Sequence, residues 1–315
     1  MTQLIHRSER AGSAPARSRS GQLVAVGVFL LPALILYAVF VLIPIVQAAH
    51  YSVYKWNGLT PLTDFVGLAN YQRALAEPTF LKAISHNGII VGLSLLIQIP
   101  FALGVALMLN RRFAGRAAFR LIFFAPYVIS EVIAGVVWRL ILQPDGLVDG
   151  ALTSVGLGSL YQPWLADPDT VLWAMFVIIS WKYFGFHMIL MLAGLQGIPR
   201  ELEEAAAIDG ASRRQALRYV TLPLLGPTIR VSVFLSVIGA LQLFDLIWVT
   251  TGGGPVDASN TMATYMVDWG FERFQLGYGS AIAVILFVIA LVVALAYQRY
   301  VLRRDLDGAL TSGAG

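Results

Sequence analysis

Three ionisable residues lie inside long apolar stretches of the sequence: Glu131, Lys182 and Asp245. A charged side chain within a membrane-spanning segment is costly, so such residues usually face a polar cavity or a partner helix. We expect these three to line or border a route for polar molecules. The alternative is structural: a Glu131–Lys182 ion pair, or Asp245 with another partner, only holds helices together.

Aromatic and polar residues accompany these charges. Tyr183 and Phe186 follow Lys182 closely, and Gln242 precedes Asp245. Aromatic faces with a few polar groups suit a neutral, hydroxyl-bearing ligand, because rings stack on its C–H surfaces while its hydroxyl groups find partners. The residues predicted to lie along the pathway are therefore Glu131, Lys182, Tyr183, Phe186, Gln242 and Asp245.

The sequence offers little for catalysis. It has no cysteine, which excludes thiol chemistry and cysteine-ligated metal. Its histidines are scattered, and neither H-E-x-x-H nor a nucleophile with its base is present, so we predict no metal site and no enzyme. The phosphate-binding motif G-x-x-x-x-G-K-[ST] does not occur, so we predict no nucleotide cofactor in this chain.

Lipid is the main solvent that the composition predicts. Hydrophobic residues make up 57% of the chain and charged residues 13%, against about 25% charged in an ordinary soluble domain. A hydrocarbon core about 30 Å thick requires about 20 helical residues. Six segments are long enough and predict an all-α protein with six transmembrane helices: residues 23–47, 84–109, 121–142, 171–195, 228–249 and 278–300.

The placement of arginine predicts the orientation of these spans. Arginine-rich blocks at residues 7–19, 111–120, 200–230 and 299–304 fall on one side, and the other side has few basic residues. Since basic loops mark the cytoplasm, both termini are predicted to be cytoplasmic, in a disordered tail at 1–22 and a short tail at 305–315. The same clustering argues against nucleic-acid binding, despite a net charge of +4.

A polar stretch between the fourth and fifth predicted spans, residues 198–223, has the signals of a short helical hairpin. Pro199 suits the first turn of a helix, and the glutamates after it complement the positive helix end. Gly210 permits a left-handed turn, and Ser212 with Gln215 has capping-box spacing for a second helix. Small alanines leave a slim surface that fits a groove on another protein.

This stretch resembles the EAA loop of binding-protein-dependent ABC importer permeases. The resemblance rests on Pro199, Glu204-Ala205-Ala206, Asp209-Gly210-Ala211 and Leu222-Pro223, between two spans and on the positive side. By this resemblance, the residues that contact a cytoplasmic ATPase are Glu204, Ala205, Ala206, Asp209 and Gly210.

Other motifs are similar to the maltose-type carbohydrate permeases, and to the MalF-like partner rather than the MalG-like one. They are Leu31-Pro32 with Pro44, Phe65-Val66-Gly67-Leu68-Ala69-Asn70-Tyr71, and Thr251-Gly252-Gly253-Gly254-Pro255. The similarity covers residues 22–304. The chain departs from the longest family members, which carry extra N-terminal spans and a large outer domain.

The resemblance implies a non-catalytic permease subunit of the bacterial plasma membrane, with a cytoplasmic coupling helix. Its implied partners are a MalG-like second permease, two copies of a cytoplasmic ATPase that bind ATP and Mg, an extracytoplasmic sugar-binding protein, and membrane lipid. The substrate stays open between a disaccharide, a longer oligosaccharide and glycerol-3-phosphate.

A secondary transporter is the competing interpretation. Glu131 and Asp245 are intramembrane acids of the kind that couple ion movement to transport. Copurification of a cytoplasmic ATPase with the chain would separate the two interpretations.

Overall fold

The computed structural model describes residues 19–111 and 113–302, and most of them are helical. Extended pairing among the described residues is limited to an isolated bridge between Tyr54 and Phe65. The all-α prediction is confirmed for this part of the chain. The predicted tails fall largely outside it, since residues 1–18 and 303–315 are not among those described.

Residues 1–47 form the first of two units. Its helix begins with α1 (Arg19–Tyr37), passes through a π-helical turn (Ala38–Leu42) and enters α2 (Ile43–Tyr51), whose end belongs to the second unit. Its large apolar side chains between residues 28 and 46 are exposed. A helix that is apolar on all sides is typical of a membrane span, and Gly27–Tyr51 is long enough to be one.

The second unit, residues 48–315, contains the later helices. In chain order the described ones are α3 (Ala69–Ala76), α4 (Pro78–Leu93), α5 (Ile99–Asn110), α6 (Arg116–Val128), α7 (Glu131–Leu142), α8 (Leu147–Ser154), α9 (Val171–Gln196), α10 (Arg200–Ile208), α11 (Arg213–Ala216), α12 (Leu222–Leu241), α13 (Asp245–Thr250), α14 (Met262–Val267) and α15 (Leu276–Tyr297). π-helical turns join α4 to α5 and α11 to α12, so each pair forms one continuous span.

Among the described residues, five helices are long and apolar enough to cross a membrane, and a bent helix pair counted as one span makes six. The predicted fourth span, residues 171–195, begins at the same residue as α9 and ends one residue before the end of that helix. The second span starts earlier than predicted, at Pro78, because proline suits the first turn of a helix.

The predicted third span, residues 121–142, is broken in the structure. Helix α6 ends at Val128, Ile129 and Ser130 are extended, and the arms on either side are bent by 99°. Pro126 cannot donate a backbone hydrogen bond, and Glu131 provides an acidic first turn for a new helix. The prediction of one continuous helix is corrected to two short arms.

The predicted fifth span, residues 228–249, also differs from the structure. Its helix belongs to a longer span, Arg213–Leu241, and a short break separates it from α13. Buried Asn87 stabilises the break, since its side chain donates to Ala240 O over 2.7 Å and accepts from Met262 N over 2.9 Å. A residue from another span thus stabilises the end of α12. The local periodicity of the sequence carries no information about such a distant contact.

Helix α9 lies at the centre of the second unit. It packs against α5, α6 and α12, and side chains along most of its length are buried. At the contact with α6, a Cβ added to Gly185 would be 2.8 Å from the carbonyl carbon of Phe123. Glycine permits this close approach, which brings the aromatic residues of α6 onto α9.

We predict that Gly185→Ala destabilises the protein, because the added methyl group overlaps the α6 backbone. Overpacking of this kind costs about 1–3 kcal/mol. The control is Gly88→Ala, since a Cβ at Gly88 meets nothing within 4 Å. Thermal unfolding of the detergent-purified protein should show a lower midpoint for the first variant only. Equal midpoints for both variants would contradict the proposed tight contact.

Candidate functional site

A cavity of about 250 Å³, here the central cavity, lies between α9, α12 and the π-helical turn that joins α4 to α5. Ile179, Tyr183, Phe186 and His187 line it from α9. Their spacing places them on one face of the helix. The structure therefore brings two of the predicted pathway residues, Tyr183 and Phe186, to the same cavity.

Polar groups from other segments complete the central cavity. Ser94 and Gln98 come from the π-helical turn, Tyr127 from α6 and Ser236 from α12. The ring of Tyr127 stacks on Phe186, with ring centroids 4.9 Å apart and planes 23° from parallel. The result is an aromatic wall facing hydroxyl and amide groups, the surface that suits a neutral hydroxylated ligand.

The described residues that line this cavity include no aspartate, glutamate, lysine or arginine. The ring nitrogen Nδ1 of His187 lies 2.8 Å from the hydroxyl of buried Ser232. Sequence reasoning missed the cavity residues Ser94, Gln98, Tyr127, His187 and Ser236. One signal in the sequence could have found some of them. Polar residues four positions apart in an apolar stretch lie on the same face of a helix, as Ser94 and Gln98 do.

Lys182 has a role that the sequence did not indicate. Its side chain is 2% exposed and does not line the central cavity. Its ammonium group donates to the carbonyl groups of Pro126 and Tyr127, each over 3.3 Å, and to that of Ile129. These carbonyl groups lie at the end of α6, where the broken helix leaves them without intrahelical donors. Lys182 therefore caps the break in the third span.

The other predicted pathway residues occupy different positions. Half-buried Glu131 accepts a hydrogen bond from the Tyr183 hydroxyl, so its carboxylate orients a cavity residue. Gln242 is exposed just after α12, and Asp245 is exposed at the start of α13. The structure therefore groups Glu131 with Tyr183 and leaves Gln242 and Asp245 at a helix break outside the cavity lining.

The polar hairpin, residues 198–223, has the predicted turn chemistry. Helix α10 ends at Ile208, and Gly210 follows at φ +83°. The amide of Gly210 donates to Ala207 O over 3.1 Å, and that of Ala211 to Ala206 O over 2.9 Å. This pair of bonds is a Schellman motif, which requires a left-handed residue after the helix. The positive φ predicted for Gly210 is confirmed.

The second arm of the hairpin also starts as predicted. The Ser212 amide donates to Gln215 Oε1 over 2.8 Å, and the Gln215 amide to Ser212 Oγ over 3.4 Å, which together form a capping box. Thr221 at the base of α12 donates to Glu203 over 2.8 Å. These bonds tie α10 to the start of the fifth span.

The predicted coupling residues lie on the open side of the hairpin. Glu204, Ala205, Asp209 and Gly210 are exposed, and Ala206 is half-buried. Ile208 on the same helix is 86% exposed. The hairpin therefore presents acidic and apolar groups together on a free surface.

Comparison with known proteins identifies the family. Residues 98–306 match the family described as binding-protein-dependent transport system inner membrane component. The trehalose/maltose transport system permease protein MalF of Thermococcus litoralis is 34% identical over 275 residues, which cover 86% of this chain and 91% of that protein. The chain belongs to the family of binding-protein-dependent transport system inner membrane components, and the resemblance is confirmed.

Two crystal structures share the fold. One is a bacterial ABC transporter for the acidic polysaccharide alginate, with a TM-score of 0.79 and 26% identity, covering 91% of this chain and 99% of that chain. The other is a bacterial alginate ABC transporter with an alginate pentasaccharide-bound periplasmic protein, with a TM-score of 0.77 and 26% identity over 88% of this chain and 94% of that chain. The predicted all-α permease fold is confirmed.

We predict that Lys182→Met destabilises the bent third span, because methionine fills a similar volume but donates no hydrogen bond to the α6 carbonyl groups. Each buried polar group left without a partner costs about 1–3 kcal/mol. The control is Tyr183→Phe, which removes only the bond to Glu131. The thermal unfolding midpoint should fall much further for Lys182→Met. An unchanged midpoint in Lys182→Met would show that the cap does not stabilise the break.

Proposed function

We propose that this chain is one permease subunit of an ATP-driven importer for a neutral di- or oligosaccharide. The observation that carries the proposal is the path of the chain through the hairpin. Helix α9, which carries Tyr183 and Phe186, leads into the hairpin, and α12, which carries Ser236, leads out of it. A movement of the hairpin therefore acts on two walls of the central cavity.

The lining of the central cavity supports a neutral saccharide. The stacked rings of Tyr127 and Phe186 offer an apolar face, and Ser94, Gln98 and Ser236 offer hydroxyl and amide groups. A phosphate group requires charged donors or several converging N–H donors. The described lining has no lysine or arginine, so it favours a sugar over glycerol-3-phosphate. The trehalose/maltose permease relative also supports a sugar substrate.

The proposed assembly has a partner at each end. The hairpin faces the cytoplasm, where its open side enters a groove on one of two ATPase copies, and those copies bind ATP and Mg. A second, MalG-like permease supplies the other half of the pathway. An extracytoplasmic sugar-binding protein delivers the substrate, and a partner of this kind occurs in one alginate transporter structure. This chain itself hydrolyses nothing, and both of its termini are cytoplasmic.

The hairpin is built to transmit force in this assembly. Alternating access requires that closure of the ATPase pair shift the permease helices. The Schellman turn at Gly210 and the capping box at Ser212 fix the angle between α10 and α11, and Glu203 fixes α10 to Thr221. In this proposal, Glu204 meets a basic group on the ATPase.

Uptake by the complete importer in liposomes tests the substrate class. We expect radiolabelled maltose, trehalose or maltotriose to be transported with ATP and the cognate binding protein, and glycerol-3-phosphate not to be. Gly239→Phe should block uptake without loss of assembly, because Gly239 lines the cavity and a Cβ there meets nothing within 4 Å. The matched control is Gly88→Phe, outside the cavity lining. Transport of glycerol-3-phosphate alone would overturn the neutral substrate.

The coupling role of the hairpin gives a further prediction. Gly210→Val should lower both sugar uptake and stimulated ATP hydrolysis, because a β-branched residue at positive φ costs about 1–3 kcal/mol. Gly210→Asn is the control, since asparagine tolerates this conformation. Glu204→Lys should weaken ATPase attachment more than Glu204→Gln, because it reverses the charge. Normal assembly and hydrolysis in both Gly210→Val and Glu204→Lys would reduce the hairpin to a connector.

A further inference from the structure

A second cavity, of about 720 Å³, lies at the opposite end of the spans from the hairpin. Asn110 and Leu195, near the ends of α5 and α9, line a groove beside the hairpin, whereas Ala69 and Tyr278, near the starts of α3 and α15, line the second cavity. We name it the outer cavity, because arginine placement predicts that this end is extracytoplasmic. Its volume falls within the range of about 300–1,000 Å³ common for small-molecule sites.

Aromatic side chains are fixed at this cavity. The indole N–H of Trp56 donates to Thr60 O over 2.6 Å, and its ring lies 4.6 Å from that of Tyr51. Phe274 is 61% exposed and has φ +51°, a strained conformation for a bulky residue. Strain of this kind persists only where neighbouring structure enforces it, and such residues cluster at functional sites.

Backbone hydrogen bonds on both sides of Phe274 enforce its conformation. The Arg273 amide donates to Asp268 O over 2.9 Å, and the Gln275 amide to Trp269 O over 3.0 Å. The Arg273 side chain adds an ion pair with Asp268 at 2.9 Å. These contacts fix the backbone at Phe274, which presents its exposed ring at the cavity wall.

Arg73 is held in the same cavity by aromatic rings. Its guanidinium group lies 4.1 Å from the ring centroid of Tyr278 and 4.5 Å from that of Trp269, and Nη1 donates to Gln275 Oε1 over 2.7 Å. Guanidinium has five N–H donors in a plane, so one edge bound to Gln275 leaves donors for a ligand. Asp64 also lines the cavity and supplies acceptors.

We propose that the outer cavity is a saccharide-binding site that receives the sugar on its way to the central cavity. The ring of Trp56 and the exposed ring of Phe274 offer stacking faces, and Arg73 with Asp64 offers donors and acceptors for vicinal hydroxyl groups. Lys55 also lines the cavity, so its charged groups are of both signs. The inference rests on the proposed sugar substrate and adds a second site to it.

Thiol protection tests this site, because the chain has no cysteine of its own. Ala69→Cys places a thiol in the lining, and Ala76→Cys places one on an exposed part of the same helix, α3, outside the lining. Both are made in the assembled importer in nanodiscs, without binding protein. Maltose, trehalose and maltotriose are the probes, and the rate of modification by a charged methanethiosulfonate is measured.

We expect a transported probe to slow modification at position 69 about threefold at a concentration of twice its Kd, by mass action. The rate at position 76 should not change. Arg73→Gln should remove the protection, whereas Lys82→Gln should preserve it. Lys82 is a suitable control, because it is an exposed cation on the next helix, α4, and does not line the cavity.

Three results would overturn the outer site. They are no protection at position 69 by a probe that the importer transports, equal protection at positions 69 and 76, and protection that appears only with binding protein present. The last result would make this cavity a protein-docking surface. Transport of glycerol-3-phosphate and of none of the three sugars is a separate outcome, which overturns the proposed substrate class itself.

Discussion

Every backbone carbonyl within a membrane must find its hydrogen-bond donor inside the protein, because lipid offers none. Two of the predicted spans are interrupted by helix breaks, and at each break a buried polar side chain donates hydrogen bonds to the helix end. Lys182 donates to the end of α6, and Asn87 donates to the end of α12. The two breaks bound the space between the helices. The shape of the central cavity therefore depends on Lys182 and Asn87, although neither residue lines it.

The central cavity and the hairpin are connected by the same two helices. Helices α9 and α12 carry cavity walls in the membrane and meet through the hairpin outside it. Gly185 lets α6 approach α9 closely, so Tyr127 can stack on Phe186. In the proposed transport cycle, a displacement at the hairpin reaches the aromatic wall through these packed helices. The fold thus provides a short physical route between the proposed ATPase contact and the proposed sugar contact.

Local signals predicted local structure well. The left-handed turn at Gly210 and the capping box at Ser212 each depend on a few neighbouring residues in the sequence, and the structure has both. The role of Lys182 was not readable in the same way, because its partners lie more than fifty positions earlier and only the fold brings them together. Span breaks escaped prediction for the same reason, since hydropathy averages over a window and does not register a donor from another helix.

The break in the third span also constrains how the protein is made. Helix α6 has 13 residues and α7 has 12, so at about 1.5 Å per residue neither arm crosses a hydrocarbon core about 30 Å thick. Lys182, which satisfies the carbonyl groups between them, is synthesised 53 residues after Ile129. The third span therefore cannot reach its final form as it leaves the ribosome. Its hydrogen bonds to Lys182 form only after α9 has entered the membrane, so the order of synthesis sets the order of assembly.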